Sequence, residues 1–396
     1  MNKKYCLVAL FWLTVKIPLA IAAPNDNQNT GAEKSDAAPV ALASHTIDSP
    51  TFTYGGFGSL GVSHSSQDLG DYVLESTMPK GAGRSYSWSA SNNSRLAAHV
   101  NANFTPKVSA IFQVITEYHS DGTFRPEIEW ANIKYALTPN AYVRAGRIAL
   151  PTFLDSESRD VGYTYTWVHP PVDLYHQLII PSSDGVDAMY RFEIGEAENS
   201  IKALYGTNTL DRPTSVSTSN DLWGIFDTLE LSRTTFHAGY QRRNSSSQNL
   251  LTGVIGPWIP NSDLSFGALY DPGDWFAMSE WIQRRSKSKV EAMYISAGYR
   301  INKYTPYVTY SQNSTGSFLP GYTTPTAAEF KSANRSQSTV SLGVRWDFMK
   351  NTDFKLQYDQ VTLSDNSNGY LINVPANVNL YGSTFHVISA VVDFVF

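Results

Sequence analysis

Cysteine is almost missing from this chain. Cys6 is the only one, and it lies at the start of the apolar stretch of the N-terminal segment, so it cannot serve as a lipoprotein cysteine that follows such a stretch. A chain without further cysteine has no disulfide framework, cysteine nucleophile or cysteine–zinc site. Charge is scarce too: 16% of residues are charged, and the formal net charge of −5 offers none of the basic surface that nucleic-acid binding needs. Beyond the first twenty residues no long apolar run occurs. A bundle of membrane helices, each needing about 20 apolar residues, is therefore excluded.

Aromatics are abundant, at 13% with 23 tyrosines. The N-terminus reads as an export leader: Lys3 and Lys4, an apolar stretch from Tyr5 to Val15, then the small-x-small signal Ala20-Ile21-Ala22. Cleavage is expected after Ala22, giving a signal peptide over 1–22. Loss of Lys3, Lys4 and Lys16 then takes the formal charge from −5 to −8. Residues 23–50, rich in Ala, Asn, Asp, Ser and Pro, lack periodicity and are expected to be disordered on the periplasmic side.

From Thr51 onward the pattern is β throughout. Phe52, Tyr54, Leu60 and Val62 share a face, as do Leu96, Ala98, Val100, Ala102 and Phe104, opposite Arg95, His99, Asn101 and Asn103. Thr105-Pro106-Lys107 and Thr138-Pro139-Asn140 supply turns. Further strands are expected near 124–137, 141–149, 185–194, 200–208, 221–231, 234–243, 263–271, 274–284, 290–300, 304–313, 337–348, 352–362 and 384–396, about sixteen in all. Apolar phases compete across 244–284. Short returns alternate with long polar loops. Alternation hides lipid-facing residues among lumen-facing polar ones, so a closed transmembrane antiparallel barrel spanning 51–396 reconciles a membrane destination with ordinary hydropathy.

The last strand places Ile388, Ala390, Val392, Phe394 and Phe396 on one face, with Ser389 and Asp393 on the other. The ending VVDFVF, with its terminal Phe396, resembles the signature read by the assembly machinery of bacterial outer-membrane barrels; Phe394 and Phe396 are assigned to it. With the leader and the strand count, the chain resembles the Gram-negative porins from about Thr51 to Phe396. That resemblance implies a passive, water-filled channel for small hydrophilic solutes and ions, without a cofactor. It also implies a homotrimer in the outer membrane, with lipopolysaccharide as the external lipid partner. In that family the third external loop follows the fifth strand, enters the barrel and narrows the pore, which points to 150–184 here. The stretch Val143–Leu154 is also loosely similar to phosphate-selective porins, but no concentrated basic ladder supports phosphate selectivity.

Asp155, Glu157, Arg159 and Asp160 lie on that loop. Arg95, Lys134, Arg144, Arg191, Arg345 and Lys355 fall on inward faces by alternation. Acids on the loop facing bases on the wall would set up a transverse field that orients solutes and tunes ion selectivity. Alternatively, the arginines pair locally with Asp187, Glu193, Asp347 and Asp359. His169, Asp173 and His176 imitate a metal set, yet Pro170 and Pro171 favour rigid-loop packing, so no metal is expected. Ser286-Lys287-Ser288-Lys289 and Ser364-Asp365-Asn366 resemble elements of penicillin-recognising enzymes, but no KTG follows. The alternatives to a channel are a barrel phospholipase or protease, for which His99, His119, His237 and His386 would be the candidate bases, and an adhesion barrel. No nucleophile is spaced to serve those histidines.

Overall fold

A computed structural model describes residues 49–177, 180–318 and 334–396, except the side chains of residues 317 and 318. The expected leader, and all but the last two residues of the expected disordered segment, lie outside the described residues. Sixteen antiparallel strands form the wall: β1 (Thr51–Ser65), β2 (Arg95–Asn103), β3 (Val108–Tyr118), β4 (Phe124–Thr138), β5 (Ala141–Ala149), β6 (Ser182–Ile194), β7 (Ala197–Arg212), β8 (Ser215–Leu231), β9 (Thr234–Asn249), β10 (Ile259–Tyr270), β11 (Trp275–Arg285), β12 (Ser288–Tyr299), β13 (Tyr304–Phe318), β14 (Gln337–Met349), β15 (Thr352–Leu363) and β16 (Thr384–Val395). Each pairs with its sequence neighbour, and β1 closes the ring on β16 from Phe57↔Val395 to Ser65↔Val387. Closure leaves no full-length sheet edge in the lipid.

The pleat sorts the side chains by solvent. Leu60, Ile133, Val186, Ile225, Ile295 and Leu342 stand exposed on the outer face, which lipid covers in a membrane. Ser63, Asn132, Asp187, Ser296, Thr309 and Ser389 are buried on the inner face. The expected phase of the last strand holds: Ile388 is exposed, whereas Ser389 and Asp393 are buried. Aromatic pairs such as Tyr270–Trp275 and Tyr304–Trp346 sit at strand ends beside the short turns, where their amphipathic rings suit a membrane interface. Several of the short turns need left-handed backbone; Gly195 (φ 62°) and Asn351 (φ 60°) are among the residues that supply it.

β7, β8 and β9 run longer than their alternation suggested, to 16, 17 and 16 residues. Their outer ends are polar ribbon beyond the apolar band, with cross-strand hydroxyl contacts such as Ser219–Ser245 (2.9 Å). Register shifts at Gly206/Asn208 and at Asn220/Trp223 change the phase there, so a period-2 pattern cannot be followed through them.

The barrel seam explains two glycines and the terminal aromatics together. Gly58 lies opposite Phe394, and Gly56 and Phe396 exchange both backbone hydrogen bonds at 3.0 Å. A Cβ at Gly58 would overlap the Phe394 ring, and one at Gly56 the Phe396 ring. The rings thus cover the bare backbone of β1.

Apolar side chains are buried in several separate clusters. The largest joins three external connections: Tyr72, Leu74 and Met78 from 66–94, Val172 from 150–181, and Tyr370, Leu371 and Leu380 from 364–383.

Candidate functional site at the connection between β5 and β6

Leu150 and Pro181 close the connection at its base through a 3.0 Å backbone hydrogen bond. Between them lie a single 3₁₀ turn (Gly162–Thr164) and a helical turn (Val172–Tyr175). Regular structure is short because Pro151, Pro170 and Pro171 interrupt the ladder. Part of the backbone is satisfied by local turns, and part finds its partners on the wall strands.

Two of those partners are buried cations. Lys355 on β15 is 0% exposed; its Nζ donates to the Gly162 carbonyl (2.6 Å) and pairs with Asp393 (2.9 Å). Arg345 on β14 is 4% exposed; it donates to the carbonyls of Tyr163 (2.8 Å) and Tyr165 (2.9 Å) and pairs with Asp353 (3.0 Å) and Asp347 (2.9 Å). Farther along, the Trp167 Nε1 donates to Ser296 on β12 (3.0 Å) and Thr309 on β13 (3.1 Å). The Val168 N–H donates to Gln357 on β15 (3.1 Å). Asp173 accepts from Ser311 on β13 (2.6 Å) and Gln337 on β14 (2.7 Å), and burial pushes its carboxyl up to about 6 against those bonds. Glu280 on β11 accepts from the Leu154 N–H and from the Tyr175 hydroxyl (3.2 Å). In a ring of sixteen, β13 is the strand farthest from β5.

The acids of the connection meet bases on the near wall. Asp160 pairs with Arg95 on β2 and with Arg159 (3.3 Å). Burial would raise its pKa, but Arg159 and Arg95 hold it down at about 2. Glu157 pairs with Lys202 on β7 and lies 3.7 Å from Arg144 on β5; against the same burial penalty these two cations hold it at about 2. Asp155 is pushed up to about 6 by burial.

The structure thus brings Asp160 to Arg95 and Glu157 to Arg144. The local alternative also holds in part, because Arg144 binds Asp187 (Nε to Oδ1, 3.0 Å) and Arg345 binds Asp347. Arg345 and Lys355 do not present their charges to open water; loop carbonyls and buried aspartates enclose them. Arg191 is placed elsewhere, paired with Glu198 (2.6 Å) beside the turn between β6 and β7. Lys202, Glu280 and Asp353 escaped sequence reasoning. Lys202 could have been found from its phase opposite Ile201 and Tyr205, both exposed, whereas Glu280 has no sequence signal tying it to the connection.

The three residues that imitated a metal set diverge. The His169 Nε2 is 3.7 Å from Asp359, His176 stacks on Tyr370 (3.9 Å) with Nδ1 donating to the Leu74 carbonyl (3.0 Å), and Asp173 turns to β13 and β14. Burial outweighs that hydrogen bond and lowers the His176 pKa to about 3. Of the other histidines, His119 meets the Arg125 carbonyl (2.8 Å), His237 meets Thr228 (3.0 Å) and His386 meets Tyr358 (2.7 Å).

Residues 36–366 match a family model described as Gram-negative porin. No curated protein sequence matches the chain. Among solved structures, the chain is similar to a loop-deletion mutant of OmpT, an outer membrane protein of Vibrio cholerae (TM-score 0.56, 12% identity, 88% of this chain and 100% of that one). It is also similar to an anion-selective porin from Comamonas acidovorans (0.56, 13%, 88% and 100%) and to Salmonella typhi OmpF in complex with daunomycin (0.54, 14%, 89% and 100%). At such identities these likenesses establish the barrel fold alone.

Proposed function

The chain belongs to the Gram-negative porin family and forms a passive channel in the outer membrane, and on that premise we propose that the connection between β5 and β6 narrows the passage and selects among small hydrophilic solutes and ions. One observation carries this reading: a segment leaving β5 hydrogen-bonds β12 and β13 through Trp167, on the far side of the ring. A chain crossing the interior must reduce the free cross-section. The charges beside it, Asp160 with Arg95 and Arg159, and Glu157 with Arg144 and Lys202, supply the local field. Asp155 belongs to the same selective region.

The channel is read as non-enzymatic, because diffusion requires no bond chemistry. A leader cleaved after Ala22 and recognition of Phe394 and Phe396 by the barrel assembly machinery complete its route to the membrane. A homotrimer surrounded by lipopolysaccharide is the working assembly; one of the structurally similar proteins, OmpT of Vibrio cholerae, is described in a trimer form. The test is reconstitution in planar bilayers. Ohmic conductance is expected, with a reversal potential that shifts when Glu157→Gln and Asp160→Asn are introduced together. Absence of conductance refutes the channel; an unchanged reversal potential refutes the role given to the connection.

A further inference from the structure

The wall is notched where the connection leaves it. β4 pairs with β5 only from Ala131↔Arg147 to Thr138↔Ala141, so among the described residues Phe124–Trp130 lacks a strand partner on that edge, although the Ile128 carbonyl accepts from the Arg147 side chain (2.9 Å). β7 pairs with β6 as far as Thr207↔Asp184, and beyond this Asn208–Arg212 pairs with β8 alone. Between these two free edges, β5 ends at Ala149 and β6 begins at Ser182. A cavity of about 220 Å³ occupies the notch and reaches inward to Asp160 and Arg159.

The cavity's lining is strongly asymmetric: seven acidic side chains against three arginines. All three arginines are already engaged. Arg125 binds Glu127 (2.7 Å) and Asp121 (3.2 Å), Arg147 binds Asp184 (2.7 Å), and Arg159 binds Asp160 (3.3 Å). Glu117 has its nearest cation, Arg95, only at 4.0 Å. Glu129 accepts from Gln113 (2.6 Å). Acids thus outnumber arginines in the lining.

A second feature is independent of charge. Asn208 lines the cavity and is 9% exposed. Its Nδ2 donates to the Ser182 carbonyl (2.9 Å), and its Oδ1 has no hydrogen-bond partner among the described residues. The register shift at Gly206/Asn208 redirects this side chain. A buried acceptor left open is costly unless an incoming donor satisfies it. The lining thus offers an open acceptor while its three arginines are engaged.

We propose that this cavity is a capture site for small organic cations, solutes carrying a protonated amine or a guanidinium group, on the long-loop side of the constriction. A planar guanidinium matches the need: several donors, one positive charge and no acceptor. The proposal rests on the channel reading above and assigns that channel a preferred solute class.

The test records single channels with Nα-acetyl-L-arginine amide added on the long-loop side, with Nα-acetyl-L-citrulline amide, whose blocked amine leaves no charge, as its uncharged counterpart. Arginine amide is expected to interrupt the current in a concentration-dependent way, and citrulline amide is not. Asn208→Ala removes one hydrogen bond to a charged donor and should raise the half-blocking concentration about tenfold; Glu117→Gln should raise it similarly. If Asn208→Ala yields no channels, Glu117→Gln carries the test alone. Absence of interruptions, equal interruption by both amides, or block indifferent to the variants would overturn the site. Normal conductance without block leaves the channel standing, whereas no conductance in any condition refutes the channel itself.

Discussion

Replacing Lys355 with methionine probes the link between wall and connection. The ammonium is fully buried and has three partners: the Gly162 carbonyl at 2.6 Å, Asp393 at 2.9 Å and Asp353 at 3.8 Å. Methionine fills similar volume but returns none of these. Removing one partner of a buried ion pair costs about 3–5 kcal/mol, because the other charge is stranded; the lost hydrogen bond to Gly162 falls within about 1.5–3 kcal/mol. The two overlap, so about 4 kcal/mol is the reasonable total. Arg345 still holds Asp353 and Ser59 still donates to Asp393, which keeps the cost near one broken pair. At 1.4 kcal/mol per decade, the equilibrium between docked and released connection shifts by about a factor of a thousand. Trp167 and Asp173 remain bound, so the barrel persists while release becomes frequent enough to record. Single-channel traces of Lys355→Met should show a raised, fluctuating conductance. Lys355→Met/Asp393→Asn, which removes the stranded charge, should be quieter than the single variant. A Lys355→Met channel with wild-type conductance and noise would refute the reasoning.

Other outcomes follow from the same geometry. Trp167→Ala empties a site whose occupant is 2% exposed; a loss of about 3–5 kcal/mol should increase conductance and widen the size cut-off in liposome-swelling assays with neutral sugars. Gly56→Val places methyls into the Phe396 ring and should cut the folded fraction, read as the heat-modifiable band on gels, while Gly56→Ala is the milder case; equal folding of both with wild type would refute the seam argument. Asp155, raised to about 6 by burial, gains its charge as pH rises through that value, so cation permeability should climb between about pH 5 and 7. The stability sign is opposite to that of a salt-bridged acid: between the ordinary carboxylate range and 6 the folded state binds more protons, and stability falls as pH rises. Asp155→Asn should flatten the selectivity curve, and Asp173, which titrates in the same window, should supply part of what remains.

The wall was legible because its signal is local and periodic. Each strand repeats outward-apolar, inward-polar at period 2, and Phe396 sets the phase of the last one. The extensions of β7–β9 were not legible, since bulges at Asn208 and Asn220 break the phase and the outer ribbon leaves the lipid that imposes it. At the site, alternation told which face Arg345 and Lys355 occupy but not what stands against them. Only a strand neighbour in space, Asp353 or Asp393, and a backbone carbonyl 193 positions away settle that. Glu280 illustrates the same limit: its partner Leu154 lies 126 residues off, and no spacing rule connects them.

On the proposed reading, the sign of selectivity follows from what the connection consumes. Polar and ionic contacts hold the connection alongside the apolar packing of Phe153, Leu154 and Trp167. Those contacts draw on the wall's cations: Lys355 and Arg345 go to backbone carbonyls and buried aspartates, Lys202 and Arg144 to Glu157, Arg95 to Asp160. Each cation fixed this way is subtracted from the charge a passing anion would feel. The acids in excess are those near the notch, Glu117 and Glu129 among them, where the connection supplies no base beyond Arg159. The barrel does not dictate this result, since an anion-selective porin from Comamonas acidovorans shares the fold at 13% identity. Returning bases to the notch should therefore reverse the preference without rebuilding the channel: Glu117→Lys with Glu129→Gln is expected to move the reversal potential toward anions in a salt gradient. A reversal potential that stays on the cation side would place the selective charges elsewhere in the pore.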